Sequence, residues 1–222
     1  MRYEILYDQA FPVIRIFLEA GEGFKAESDA MIAMSPTVDV TGGVDGGILK
    51  GLARKLSGEK FFFQYLKANR GPGEVILSHA IPGGIMPIVM DGSHGYLVQK
   101  DGFLAGTDGV NVGAGVQNIL GGLFSKEGFF VVRLTGTGLV FVSSYGAIHP
   151  ITLAAGEQII IDNGHLVAWP DYMTYKMEKA SSGWLGSFTS GEMLVCRFTG
   201  PGTVYIQTRN PSAFKAWLGL TK

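Results

Sequence analysis

A block of two closely spaced glycines followed by alternating apolar and polar residues occurs three times in this 222-residue chain. It reads GPGEVILS at 71–78, GTGLVFVS at 136–143 and GPGTVYIQ at 200–207, so the blocks begin at intervals of 65 and 64 residues. Self-similarity at a fixed period indicates an architecture built from repeated structural units. The sequence therefore predicts three copies of one unit.

The residues around the glycine blocks agree in the same order. Arg133 and Thr135 precede the second block as Arg197 and Thr199 precede the third, and Ser-Gly-Glu occurs at 57–59 and at 190–192. Further upstream are SDAMIAMSP, KDGFLAGTD and DNGHLVAWP, at 28–36, 100–108 and 162–170. This alignment places His165 with Met31 and Phe103.

The runs between the turns are typical of β-strands. Segments such as VIRIFLEA, EVILS, FFVVRLT, QIIID and MLVCRF are short, rich in β-branched or aromatic residues, and bounded by Gly, Asp, Asn or Pro. The Gly-x-Gly between two such runs would supply the positive φ of a hairpin turn. The 33 glycines fit many tight turns. We expect an all-β protein.

Units of this size are too small to close stable cores alone, because a domain of about 60 residues is marginal. We therefore expect one domain over 1–222, with repeats at about 20–90, 91–150 and 151–210 packed around a pseudo-threefold axis. Short helices are predicted at 46–57 and at 211–220. In the second helix Asn210 or Ser212 could be the N-cap, with Pro211 or Ala213 in the first turn.

Composition and charge disfavour several classes of function. The net charge is −1 and no Lys/Arg run exceeds two residues, whereas a protein that binds nucleic acid through phosphates needs a basic surface. The single cysteine, Cys196, fits a reducing compartment, and its apolar surroundings predict a buried, inert thiol. We found no signal peptide and no apolar run of membrane-spanning length. These features predict a cytoplasmic protein.

The sequence carries no recognisable catalytic motif. His79, His94, His149 and His165 are scattered without metal-ligand spacing, and His165 is interpreted as a partly buried structural residue. No Walker loop and no nucleophile elbow is present, and GEGFKA at 21–26 is not followed by a helical pattern. We therefore expect no enzymatic activity and assign no catalytic residue, cofactor or metal.

The most unusual segments are apolar and rich in glycine. They span 42–56, where Lys50, Arg54 and Lys55 are interleaved, and 113–124. Such segments either cover the ends of the β core or form a contact surface with another subunit or a membrane. The possible interaction surface consists of Ile48, Leu49, Leu52, Ile119, Leu120, Trp184 and Leu185.

Together, SDAMIAMSPTVDV, GGILKGLARKLSGEKFFF, GPGEVILS, DGFLAGTDGVNV, GEQIIIDNGHLVAW and FTGPGTVYIQT resemble the altered-inheritance-of-mitochondria family over roughly residues 10–210. The resemblance implies a β-sandwich of the double-stranded β-helix type, grouped with folds like that of the tryptophan RNA-binding attenuation protein (TRAP-like). It also implies an oligomer. Eukaryotic members are associated with organisation of the mitochondrial inner membrane, and the resemblance supplies no catalytic residues.

Three hypotheses follow for the function. The leading one is a non-enzymatic scaffold or protein-interaction protein that forms a homo-oligomer, with a trimer favoured. The first alternative is a protein that binds a small molecule or metal within its β core. The second is a peripheral membrane-associated organiser that attaches through 42–56 and 113–124.

Overall fold

The computed structural model describes residues 1–8, 11–43, 63–115, 131–179 and 194–220. Within these ranges the chain forms eighteen β-strands, two single turns of 3-10 helix and one α-helix, and every strand pair is antiparallel apart from one isolated bridge. The expected all-β class is therefore confirmed. The predicted helix at 46–57 lies outside the described residues.

The first group of strands precedes residue 78 and forms one four-stranded sheet and one end of an eleven-stranded sheet. Its strands are β1 (Arg2–Leu6), β2 (Val13–Leu18), β3 (Gly23–Glu27), β4 (Met31–Met34), β5 (Asp39–Gly43), β6 (Phe63–Lys67) and β7 (Gly73–Leu77). The pairing order is β1-β2-β7-β4 in one sheet and β3-β6-β5 in the other. Alternation explains the strands: Ile14, Ile16 and Leu18 of β2 are buried, and the residues between them are half-buried.

The second group shows the same pairing order. Its strands are β8 (Ile85–Asp91), β9 (Tyr96–Gln99), β10 (Phe103–Thr107), β11 (Val110–Gly115) and β12 (Val131–Ser143). The second half of β12 lies between β8 and β10, as β7 lies between β2 and β4. The first half lies between β9 and β11, as β6 lies between β3 and β5.

The third group completes the chain. Its strands are β13 (Ile148–Leu153), β14 (Gln158–Asp162), β15 (Leu166–Pro170), β16 (Thr174–Lys179), β17 (Leu194–Thr199) and β18 (Gly202–Gln207). Here β18 lies between β13 and β15, and β17 lies between β14 and β16. That the groups are repeats around a pseudo-threefold axis stays a prediction.

Two strand pairs join the groups. β10 pairs with β3, and β15 pairs with β9, so a single sheet extends through all three groups. The buried cores follow these joins. The first group's core includes Leu104 and Ala105 of β10, and the second group's core includes Val167 and Ala168 of β15. Each join therefore fastens one group to the core of the group before it.

The Gly-x-Gly blocks do not form hairpins, so this expectation was wrong. In the second group the strand continues without a break through Gly136 and Gly138, whose φ values are +96° and +138°. The strands before and after the glycines lie in different pairings: β6 does not pair with β7, nor β17 with β18. The positive φ was expected correctly, but the glycines carry the chain from one set of partners to another.

A short helix, α1 (Pro211–Trp217), follows the last strand. The Asn210 side chain accepts hydrogen bonds from the backbone N–H groups of Ser212, at 2.9 Å, and Ala213, at 3.4 Å. Asn210 is therefore the N-cap and Pro211 occupies the first turn, where its missing N–H costs nothing. Within the described ranges, no helix has the length and apolar character that crossing a bilayer requires.

Candidate functional site

A polar cluster lies where the ends of several strands meet. His79 follows β7, Glu27 ends β3, and Ser143 ends β12. The His79 side chain is only 8% exposed, and its Nε2 lies 4.0 Å from a carboxylate oxygen of Glu27. His79, Asp101 and Ser143 line a cavity of about 10 Å³. The cluster brings together titratable groups from the first two strand groups.

Burial sets the charge state of the cluster. Loss of solvent raises the pKa of Glu27 to about 7, and the negative charges of Asp101 and Asp29 act in the same direction. Burial also lowers the pKa of His79. Near neutral pH the imidazole is therefore neutral and Glu27 is partly protonated, so the pair is not a full ion pair.

The cluster encloses little space. Two buried polar atoms, His79 Nδ1 and Ser143 Oγ, find no hydrogen-bond partner within the described parts of the chain. A cavity needs roughly 10–15 Å³ to hold one water, so this cavity admits a single water at most and leaves no room for a substrate. Among the described residues, no three His, Cys, Asp or Glu side chains are grouped for metal binding.

His165 has a structural role beside this cluster. Its Nδ1 lies 2.7 Å from the backbone oxygen of Gln207, and the Gln207 amide group accepts from the Tyr145 N–H and donates to the Gly164 carbonyl. The structural interpretation of His165 is confirmed. The alignment of His165 with Met31 and Phe103 is wrong by one residue. Met31 and Phe103 are the last residues before the register break in their strands, and in β15 the residue before the break is Leu166.

An open groove of about 410 Å³ lies beside the turn between β8 and β9 and is lined in part by His94, Arg133, Asp171 and Tyr172. The Arg133 guanidinium lies 2.6 Å from Asp171, which also accepts from the Gly95 N–H at 3.0 Å. Because these charges neutralise each other, the groove offers no free charged group from this pair for recognising a ligand.

Cys196 is fully buried among the third group's core residues. Burial raises the pKa of its thiol to about 12, with a further contribution from Asp162. The expectation of a buried thiol is confirmed. With the thiolate suppressed, Cys196 is unsuited to nucleophilic chemistry.

The structure leaves several large apolar side chains in solvent. On α1 and after it, Phe214 is 43% exposed, Trp217 79% and Leu220 70%. The Phe214 and Trp217 rings are stacked with centroids 6.0 Å apart. On the strands, Ile32 and Met34 of β4 and Ile160 of β14 are exposed by 56%, 39% and 48%. These exposed apolar groups are the candidates for an interaction surface.

The interaction residues predicted from sequence lie outside the described residues, and the structure neither places nor separates them. They are Ile48, Leu49, Leu52, Ile119, Leu120, Trp184 and Leu185. Sequence reasoning missed the exposed residues of β4 and β14, although both segments were recognised as short apolar runs. A short strand with apolar residues on both faces would have indicated them from the sequence. Such a strand is either central in a sheet or an edge strand that pairs with another chain.

Comparison with known proteins gives a consistent family. The family model described as Mitochondrial biogenesis AIM24 matches residues 3–209. An uncharacterized protein of Streptococcus pyogenes serotype M6 is 30% identical over 226 residues, covering 98% of this chain and 90% of that protein.

A crystal structure of a Streptococcus pyogenes protein superimposes with a TM-score of 0.80 at 31% identity, covering 98% of both chains. None of these descriptions states a specific biochemical function. The family expected from the sequence blocks is confirmed: the chain belongs to the AIM24 mitochondrial biogenesis family.

Proposed function

We propose that this protein is a non-enzymatic scaffold that assembles with copies of itself. The observation that carries the proposal is the exposure of apolar side chains on β4, on β14 and on α1. An apolar surface in contact with water is unfavourable by roughly 25 cal/mol per Å², and association removes that contact. The polar cluster, by contrast, has no space for a substrate.

The pairing order, the buried cysteine and the net charge support further parts of the proposal. The shared pairing order of the three strand groups supports an internally repeated architecture, and a TRAP-like double-stranded β-helix remains the proposed description of it. The buried, unreactive Cys196 suits a reducing compartment such as the cytoplasm. The nearly neutral net charge supports protein partners over nucleic acid.

Light scattering coupled to size exclusion tests the proposal directly. We expect a mass that is a multiple of the 23.8 kDa chain at micromolar concentration. A trimer is the favoured assembly. A strictly monomeric species across the whole concentration range would contradict a self-assembling scaffold.

One observation favours a second candidate, attachment to a membrane surface. Trp217, Phe214 and Leu220 are exposed beside the basic Arg209 and Lys215, and no Asp or Glu occurs from 193 to 222. An amphipathic segment of this composition suits the interface of an anionic bilayer. Co-sedimentation with phosphatidylglycerol vesicles tests it: the parent protein should sediment, and Trp217→Asp should not. Failure of the parent to sediment would end this candidate.

A further inference from the structure

The two joins between strand groups share one geometry. In the first, Ala105 and Gly106 of β10 lie opposite Ala26 and Lys25 of β3. In the second, Ala168 and Trp169 of β15 lie opposite Val98 and Leu97 of β9. Both β10 and β15 have a register break immediately before that alanine, on the side facing their other neighbour. The same edge-to-edge contact is therefore formed twice.

β4 has the features of β10 and β15, the strands that carry the register break and the alanine in each join. It breaks register between Met31 and Ala33 against β7, as β10 does at Ala105 and β15 at Ala168. Only β7 pairs with β4, however, so the second edge of β4 has no partner among the described strands. β4 is thus equivalent to β10 and β15 but lacks the join that they make.

β14 has the features of β9, the strand that pairs with β15 in the second join. Leu97 of β9 lies opposite Arg133, and Ile160 of β14 lies opposite Arg197. Each arginine is followed two residues later by a threonine, so Leu97 and Ile160 occupy matching positions. β17 is the single described strand that pairs with β14, so the other edge of β14 is open as far as the described residues go.

Burial at the matching positions shows what the open edges lack. Ala105 and Ala168 have no exposed surface, whereas Ala33 is exposed. Trp169 and Leu97, which face each other across a join, are 0% and 5% exposed. The corresponding Met34 and Ile160 are 39% and 48% exposed. At Ala33, Met34 and Ile160 the open edges are therefore exposed where the internal joins are buried, while Ile161 is already part of the third core.

We propose that β4 of one copy pairs antiparallel with β14 of a second copy and so repeats the internal join between chains. The internal joins fix the register: Ala33 opposite Ile161, Met34 opposite Ile160, and Ser35 opposite Ile159. This inference rests on the proposed self-assembly and names its contact. Edge strands are natural templates for pairing, and β4, with the sequence MIAM, carries none of the charges or prolines that usually protect an edge.

Among the described strands β4 and β14 do not pair within one chain, and Met34 and Ile160 stay exposed, so we assign a second copy as the occupant of each edge. The two edges differ from each other, so the contact is heterologous: each copy offers one β4 edge and one β14 edge. Such contacts produce a closed ring when the rotation between copies closes, and a filament when it does not. Each added copy would bring one β4·β14 join in addition to its own β10·β3 and β15·β9 joins.

Cysteine cross-linking between two singly substituted proteins tests the register. Met34→Cys protein is mixed with Ile160→Cys protein and oxidised mildly, and a short bismaleimide serves as a second reagent. Directly opposed residues have Cβ atoms about 4.5–5.5 Å apart, close enough for either reagent. The parent protein, whose single cysteine is the buried Cys196, is the blank. Val89→Cys, at a site 77% exposed on β8, replaces either partner as the matched control.

We expect several-fold more covalent dimer from the Met34→Cys and Ile160→Cys mixture than from either protein alone or from mixtures with Val89→Cys. We also expect Ile160→Lys, checked for folding by circular dichroism, to reduce the mass measured by light scattering. A mixed yield no higher than the control would overturn the proposal. A variant that carries both Met34→Cys and Ile160→Cys in one chain gives a second check. An intramolecular cross-link at monomer mass in that variant would also overturn the proposal.

The outcomes separate the two proposals. An oligomer that persists in Ile160→Lys and gives no selective cross-link would refute β4–β14 pairing and leave the scaffold proposal standing. A parent protein that is monomeric at every concentration would refute both.

Discussion

Gly138 provides a quantitative test of how the glycine blocks work. Its φ is +138°, and a Cβ at this position would overlap the Thr107 hydroxyl oxygen and approach Val110 at 3.4 Å. The same hydroxyl accepts a hydrogen bond from the Leu139 N–H at 3.1 Å. Gly138→Ala therefore strains the backbone, crowds β10 and displaces a hydrogen-bond acceptor at once.

The magnitude follows from these three effects. A left-handed backbone costs an L-residue about 1–2 kcal/mol, overpacking about 1–3 kcal/mol, and the lost hydrogen bond about 1 kcal/mol. Since the three partly relieve one another, we expect Gly138→Ala to lower the free energy of unfolding by about 3–5 kcal/mol. At this chain length that corresponds to a fall in Tm of roughly 10 °C.

Urea denaturation followed by tryptophan fluorescence measures the effect, with two glycine controls. Gly156→Ala has φ of +77° with no atom within 4 Å of the new Cβ, so it should cost only about 1 kcal/mol from backbone strain. Gly42→Ala has open space and no positive φ, and should change stability by less than about 1 kcal/mol.

A double-mutant cycle isolates the steric part. Thr107→Ala removes the overlapped hydroxyl, so Gly138→Ala should cost less in that background, with a coupling of about 1–3 kcal/mol. The reasoning fails if Gly138→Ala costs no more than Gly156→Ala, or if the cycle shows no coupling between positions 107 and 138.

Three further predictions concern single residues. Because of Glu27, the free energy of unfolding should fall as pH rises. The pKa of Glu27 is raised from 4.5 to about 7 in the folded state, so its stabilising contribution is complete below about pH 4.5 and is lost as pH rises through 7. Because Glu27 is partly exposed, we expect only about 1–2 kcal/mol of this pH dependence to disappear in Glu27→Gln. Phe198→Ala removes a fully buried ring that packs on Trp169 and Tyr175, and should cost about 3–5 kcal/mol in urea denaturation. Cys196 should react with a thiol reagent at the rate of unfolding, as measured by absorbance after mixing.

Each of these predictions has a clear contrary result. Parallel pH–stability curves for the parent and Glu27→Gln would show that the carboxyl is not perturbed. A loss below about 1.5 kcal/mol in Phe198→Ala, no larger than in Phe198→Leu, would show that the third core is loosely packed. Rapid labelling of Cys196 in the native protein would show that the thiol is accessible.

Local sequence patterns predicted the strands well. QIIID and TVYIQT alternate or combine β-branched residues between turn residues, and they form β14 and β18 at nearly the expected bounds. Side-chain chemistry alone offered Asn210 or Ser212 as the N-cap, and the structure has Asn210 in that position. Such features depend on neighbours in the chain, which the sequence displays directly.

Pairing between distant strands was not predictable in the same way. The runs flanking Gly136 and Gly138 are compatible with a hairpin, and only β8, β9, β10 and β11 make them one continuous strand. The Glu27–His79 cluster unites residues 52 positions apart, and neither residue carries a local motif that announces it. The exposure of Met34 and Ile160 likewise depends on which edges remain open, a property of the whole sheet.

Hydrogen exchange measured by mass spectrometry at low and high protein concentration tests the central claim most directly. In an assembled state the outer edges of β4 (Met31–Met34) and β14 (Gln158–Asp162) gain hydrogen-bonded neighbours, so their amides should exchange more slowly. The account predicts that peptides covering both strands become protected together as concentration rises, while the edge strand β1 does not change. Exchange that is independent of concentration in both strands, or protection of only one of them, would contradict it.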